Sequence, residues 1–157
     1  MRTLTIDVPD EAALAPLARA LMTALPHGAF LALSGDLGAG KTTFVKACAA
    51  ATGIDPAEVV SPTFGLIHVH AGPRGRLVHA DAYRLLDVAD LHETGWDDAV
   101  ATADCTFLEW PTRIAAALPA DRLDVAIAIT GPTARAFTLT SRGPAHDCAV
   151  AAVAETR

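Results

Sequence analysis

An α/β fold with a mixed parallel and antiparallel sheet is what this sequence predicts, and three features predict it. Ala29 to Leu33 is apolar on both faces and runs straight into a glycine-rich turn and an Ala-rich helical stretch, which is the order of a central parallel strand covered by helices. Thr106-Phe107-Leu108 repeats the pattern of a buried strand later in the chain. Two hairpin signals, Ala71 to Gly75 and Gly131-Pro132-Thr133, lie between alternating segments and add antiparallel pairs.

Taken in order, Leu4 to Val8 alternates as a short strand, and Pro9-Asp10-Glu11 opens an Ala/Leu-rich helix that runs to about Leu25. Gly28 marks the turn before the Ala29 to Leu33 strand. Thr42 to Thr52 has helix-forming composition, with Gly53 as its natural stop. Beyond the Asp55-Pro56 break, Phe64 to Val69 and Leu77 to Ala80 read as strands around the first hairpin turn. A helical stretch follows Asp87 and carries Leu91 and Trp96 ahead of the Thr106 to Leu108 strand. Leu123 to Thr130 and Ala136 to Thr140 form the second hairpin, and the chain ends in a short Ala-rich tail. No repeat or linker interrupts this run, so residues 1–157 are expected to form a single domain.

Composition narrows the function. Hydrophobic residues make up 52% and charged residues 19%, enough for a packed core and far from the makeup of a disordered chain. A net charge of -6 repels the phosphate backbone that dominates nucleic-acid affinity, so autonomous binding to DNA or RNA is not expected. The sequence has no Asn and no Gln. That excludes a glycosylation acceptor, the water-orienting Gln of Ras-like enzymes and the Asn that reads guanine in GTPases. Cys48, Cys105 and Cys148 form no C-x-x-C pair, and all three are expected as buried thiols. The N-terminal residues show no signal region, and the longest apolar runs fall well short of the roughly 20 residues that cross a bilayer. A soluble, cytoplasmic protein with no membrane partner is the expectation.

Gly35-Asp36-Leu37-Gly38-Ala39-Gly40-Lys41-Thr42 fits G-x-x-x-x-G-K-[ST] at every fixed position, between a buried strand and a helix. The glycines let backbone wrap closely around phosphates, whose charge meets the free N–H groups of a helix N-terminus. Lys41 would reach the β- and γ-phosphates, and the Thr42 hydroxyl would take one place on Mg²⁺. These eight residues and Thr43 are the candidate nucleotide cradle, and they predict a three-layer domain of the P-loop NTPase type.

Such a domain needs a carboxylate at the end of a neighbouring strand to hold Mg²⁺ and a group to orient the nucleophile. Leu77-Val78-His79-Ala80-Asp81 and Thr106-Phe107-Leu108-Glu109 each run an apolar strand into one acid. Both carboxylates are thereby placed at the edge where α/β sheets bind ligands. With no Gln available, positioning of water falls to Asp81, Glu109, a hydroxyl such as Thr63 in Ser61-Pro62-Thr63-Phe64, or a partner, and slow basal turnover follows. His68, His70 and His79 could face one another across the first hairpin. Lacking a Cys or a tight His-Asp cluster beside them, they read as ordinary surface or core histidines.

Together these motifs resemble the TsaE (formerly YjeE) family of ATPases in bacterial tRNA threonylcarbamoyladenosine synthesis. The resemblance is carried by Gly35 to Phe44, Ser61-Pro62-Thr63-Phe64, Asp81-Ala82-Tyr83-Arg84-Leu85, the Leu91 to Gly95 segment and Glu109-Trp110-Pro111. It implies a small ATPase that works with TsaD and TsaB, touches tRNA only through that complex, and supports multiple turnover. It implies ATP and Mg²⁺ as cofactors, Thr42 and Glu109 as Mg²⁺ ligands, and Asp81 as the catalytic or water-mediated metal carboxylate. Glu11, Thr112 and Arg135 resemble family positions near the nucleotide. Gly65 departs from the family pattern, which usually has a larger residue there.

Two other classes share these motifs. A small-molecule P-loop kinase would use the same cradle and acids but needs a lid carrying Arg residues over the phosphates, for which Arg74 and Arg76 are the modest candidates. A nucleotide-binding adaptor without turnover would use Thr63 and the acids to couple occupancy to docking.

Overall fold

The computed structural model of the chain describes residues 1–62 and 67–157. Among the described residues seven strands form one sheet in the order β1-β7-β6-β2-β5-β4-β3, with β1 at Thr3–Val8, β2 at Ala29–Ser34, β3 at Ile67–Gly72, β4 at Gly75–Asp81, β5 at Cys105–Glu109, β6 at Leu123–Ile129 and β7 at Arg135–Ser141. The four central strands β6, β2, β5 and β4 run parallel. Hairpin partners β7 and β3 are antiparallel to them, and β1 closes the β7 edge. The expected mixed sheet is therefore present, with its parallel strands in the middle, where both faces are covered.

Helices lie on both faces. On one, α1 (Leu14–Ala24), α2 (Lys41–Ala51) and α5 (Pro144–Glu155) pack with Leu31, Leu33, Phe107, Val125 and Phe137 into the larger core. On the other, Phe30, Ala32, Ala80 and Leu108 meet Leu91 of α3 (Val88–His92) and Trp96 of α4 (Trp96–Thr102), together with Ile114 from the 3₁₀ segment Pro111–Ala117. Phe30 and Trp96 meet edge to face with centroids 5.9 Å apart. Among the described residues no helix is long and apolar enough to cross a membrane.

Three expectations change. The Ala-rich tail is the 12-residue helix α5, which starts on Pro144 and buries His146, Ala149, Val150 and Val153. Proline is preorganised for the first helical position, and packing on α1 and β7 supplies what an Ala-rich stretch of weak amphipathic pattern lacks. The stretch after Asp87 is two helices, because Gly95 takes a left-handed conformation with φ 83° between them. Cys48 and Cys105 are buried as expected, and burial pushes both thiols well above their ordinary range, whereas Cys148 is exposed.

Strand β2 leaves one backbone group for a side chain to satisfy. The Phe30 N–H donates to Nε2 of His146, 3.2 Å away, and Nδ1 of the same ring lies 2.6 Å from Oδ1 of Asp121. Acceptance at Nε2 fixes the tautomer, so the Nδ1 hydrogen goes to Asp121. That hydrogen bond, then the one from the Ala145 N–H, holds the Asp121 carboxyl below its usual range. A carboxyl depressed on folding stabilises the fold above its unfolded pKa of 3.8, and that contribution is lost as pH falls through the folded value. Asp121→Asn is therefore expected to lower stability at neutral pH and to flatten its decline below pH 3.8, read by denaturant titration at stepped pH. His146→Leu, which strands the buried Phe30 N–H, is expected to cost about 1–3 kcal/mol in the same measurement.

Candidate nucleotide site

The P-loop leaves the carboxyl end of β2, between neighbours β5 and β6, where the sheet opens a crevice for ligands. Two glycines are required by its path. At Gly35 a side chain would meet the Ile127 carbonyl oxygen at 2.7 Å, and Gly40 caps α2 with φ 104°. The loop thus lies close against β6 and turns its backbone into the first turn of α2, where unpaired N–H groups face anions.

Lys41 is 7% exposed, and its Nζ donates to the carbonyls of Gly35 at 2.7 Å and Asp36 at 3.0 Å. The same ammonium sits 4.2 Å from the centre of the Trp110 ring, within cation–π range. Desolvation lowers the Lys41 pKa, against opposing pulls from Glu109, Asp81 and Asp36. One cation is thus held among three carboxylates and an aromatic face.

Parallel pairing brings the two strand-end acids together. Asp81 on β4 is in register with Glu109 on β5, and Leu33 on β2 is in register with Glu109 on its other side. Asp81 is 5% and Glu109 2% exposed. Thr42 at the start of α2 donates its hydroxyl to Oε1 of Glu109 at 3.0 Å, and Asp81 Oδ1 accepts from the Tyr83 N–H at 2.7 Å. Lys41, Thr42, Asp81 and Glu109 line one cavity of about 360 Å³ together with Leu37, Gly38, Gly40, Thr43 and the rings of Tyr83 and Trp110. The aromatic pair meets at a tilt of 53° with centroids 4.9 Å apart and walls the cavity, a role that the motifs Asp81 to Leu85 and Glu109-Trp110-Pro111 contained but composition did not signal. A hydroxyl and two buried carboxylates converging beside an anion cradle are a donor set suited to a hard, oxygen-binding cation.

A second cavity of about 480 Å³ lies across the loop, lined by Glu11, Gly38, Ala39, Gly40, Thr43 and Arg135, with Asp10, Pro132 and Thr133 that sequence reasoning had not singled out. The Thr133 hydroxyl donates to the Pro9 carbonyl at 2.9 Å and ties the β6–β7 turn to the N-terminal segment. Arg135 donates from Nε to the Ala39 carbonyl at 3.0 Å and from Nη1 to Gly131 and Ala134. It therefore braces the P-loop backbone from the side of the second hairpin.

Thr112 is the candidate that the structure does not bring here. Trp110 takes φ 59°, left-handed for a non-glycine residue, and the reversal carries Thr112 to an exposed position in a separate hollow with Ser34, Arg122 and Asp124. Thr63 lies outside the described residues, as do Phe64 and Gly65. His68 faces His79 across the β3–β4 pair and its ring is 6.2 Å from that of His70, but among the described residues no three His, Cys, Asp or Glu side chains are grouped to hold a metal. Arg74 and Arg76 line a hollow with His27 and Asp104 beside Cys105, at the opposite end of β5 from Glu109.

Comparison with known proteins agrees with this architecture. The family model described as threonylcarbamoyl adenosine biosynthesis protein TsaE matches residues 8–137. The Bacillus subtilis tRNA threonylcarbamoyladenosine biosynthesis protein TsaE is 36% identical over 143 residues, covering 91% of this chain and 87% of that one. The protein of the same name from Treponema pallidum is 36% identical over 115 residues, covering 73% and 84%. The crystal structure of Bacillus subtilis YdiB aligns over 99% of this chain and 96% of its own with a TM-score of 0.80 at 28% identity. By family and by fold, this chain belongs to the TsaE proteins of tRNA threonylcarbamoyladenosine biosynthesis, with a P-loop built to bind a nucleotide.

Proposed function

We propose that residues 1–157 act as one ATPase domain that binds ATP with Mg²⁺ and hydrolyses it slowly, in step with TsaD and TsaB, to permit repeated formation of threonylcarbamoyladenosine on tRNA. The observation that carries this reading is the meeting of the Thr42 hydroxyl with Glu109 at 3.0 Å, with Asp81 in strand register beside them, at the mouth of the P-loop. Thr42, Glu109 and Asp81 are the residues to hold Mg²⁺, which when bound would neutralise phosphate charge. The P-loop backbone and Lys41 bind and orient the phosphates. Arg135 and Glu11 flank the nucleoside side through the second cavity. Asp81 or Glu109 orients the attacking water, since the chain has no Gln for that task.

A chain of net charge -6 is a poor autonomous ligand for tRNA, which supports contact with tRNA only through its partners, and the same charge argues against DNA. The kinase alternative needs Arg residues over the phosphates, and the position of Arg74 and Arg76 at the far end of the sheet counts against it.

Phosphate release from ATP by the pure chain in Mg²⁺ is expected to be slow and to rise when a TsaB–TsaD pair from the same organism is added; a rate that ignores the pair would overturn the partner-gated reading. Lys41→Ala is expected to weaken ATP binding by about tenfold or more, the order of one hydrogen bond to a charged group, and an unchanged affinity in a binding titration contradicts its assignment. Glu109→Ala should abolish turnover and cellular function while ATP binding persists. Unchanged function in cells would favour an adaptor that does not need hydrolysis.

A further inference from the structure

His79 is a buried titratable side chain that the nucleotide reading leaves without a task. It sits on β4 two residues before Asp81, so both side chains share a face of the sheet. Parallel register sets His79 beside Phe107 and Asp81 beside Glu109. The residue is 0% exposed, and among the described residues neither ring nitrogen has a hydrogen-bond partner. Nε2 stands 3.4 Å from Oε2 of Glu109, within ion-pair reach but outside the geometry of a formed hydrogen bond. The other oxygen of that carboxylate, Oε1, is the one to which Thr42 donates.

An imidazole buried without partners weakens a fold, because its desolvation is not repaid by a bond. An apolar residue between Leu77 and Asp81 would serve the core better. The ring's place behind Glu109 gives its presence another explanation, since the groups that hold a metal-ligating carboxylate from behind set its orientation.

We propose that His79 is a positioning residue for Glu109: its Nε2 hydrogen, within electrostatic reach of Oε2, attracts that oxygen and keeps Oε1 turned toward Thr42 and the phosphate cradle, so that a divalent cation meets a ligand already oriented. The neutral tautomer with its hydrogen on Nε2 suffices, so no change in the ring's charge is involved. The inference rests on the proposed Mg²⁺-holding role of Glu109.

The test compares wild type with His79→Leu, His79→Gln and Glu109→Gln. Calorimetry gives the affinity for a non-hydrolysable ATP analogue in EDTA and the Mg²⁺ concentration that half-restores tight binding, and the melting temperature of the nucleotide-free protein is recorded. His79→Leu is expected to raise the Mg²⁺ midpoint about tenfold, the order seen when a partner of a metal ligand is lost. Its affinity in EDTA should match wild type, and its melting temperature should hold or rise. His79→Gln, which keeps an N–H donor, should recover most of the Mg²⁺ response. A wild-type midpoint in His79→Leu, or a His79→Gln variant as impaired as His79→Leu, overturns the positioning role; if His79→Leu fails to fold, His79→Met carries the same comparison. Wild type indifferent to Mg²⁺, or Glu109→Gln with an unaltered midpoint, instead overturns the metal-holding role of Glu109 and the inference with it.

Discussion

The parallel pairing of β2 with β5 holds this molecule's chemistry together. Its register sets Leu33 beside Glu109, one residue before β2 ends at Ser34 and the P-loop begins. A carboxylate 74 positions beyond Gly35, the first residue of the loop, is thereby brought to the helix that follows the loop, where Thr42 reaches it. A shift of one residue would turn Glu109 to the opposite face, because side chains alternate along a strand. The residues that resist such a slip are apolar: Leu31, Leu33 and Phe107 are fully buried in the core shared with α1, α2 and α5, and Phe44 of α2 contacts both Phe107 and Phe137.

That register also creates an electrostatic demand. Two carboxylates, 5% and 2% exposed, stand in adjacent strands with one partly desolvated lysine nearby. Like charges held side by side in a shielded place repel more strongly than in water. Hydrogen bonds from the Thr42 hydroxyl and the Tyr83 N–H offset part of the cost. The loop is tied from two sides: Lys41 donates to the Gly35 and Asp36 carbonyls from within, and Arg135 donates to the Ala39 carbonyl from the second hairpin. A phosphate group would find a cradle already shaped, and it would compete with those carbonyls for the lysine.

The site was legible in uneven measure. Gly35 to Thr42 could be read as a cradle because its contacts are local: backbone bends within eight residues and ends in a helix. Asp81 and Glu109 stood out because each closes an apolar run, and a buried strand that ends in an acid puts that acid at the sheet's edge. Arg135 was placed near the nucleotide by resemblance, yet its bonds to the P-loop carbonyls come from pairing of β7 with β6, which no spacing reveals. The place of Thr112 was not legible, since the left-handed turn at Trp110 decides where the next residues go and a tryptophan gives no sign of such a turn. The helix α5 was read as a tail because its Ala-rich face finds its reason only in α1 and β7.

What the sequence determined by itself is what depends on neighbours along the chain: the α/β alternation, the hairpin turns, the phosphate cradle and the two strand-end acids. Tertiary structure decided which strands lie side by side. It thereby decided that Thr42 meets Glu109, that His79 is sealed behind the same carboxylate, and that Arg74 and Arg76 lie at the opposite end of β5 from Glu109. The physical reason is that strand order and register are settled by the packing of apolar side chains from distant segments, and one sequence read along its length carries that pattern only when the segments are already in contact.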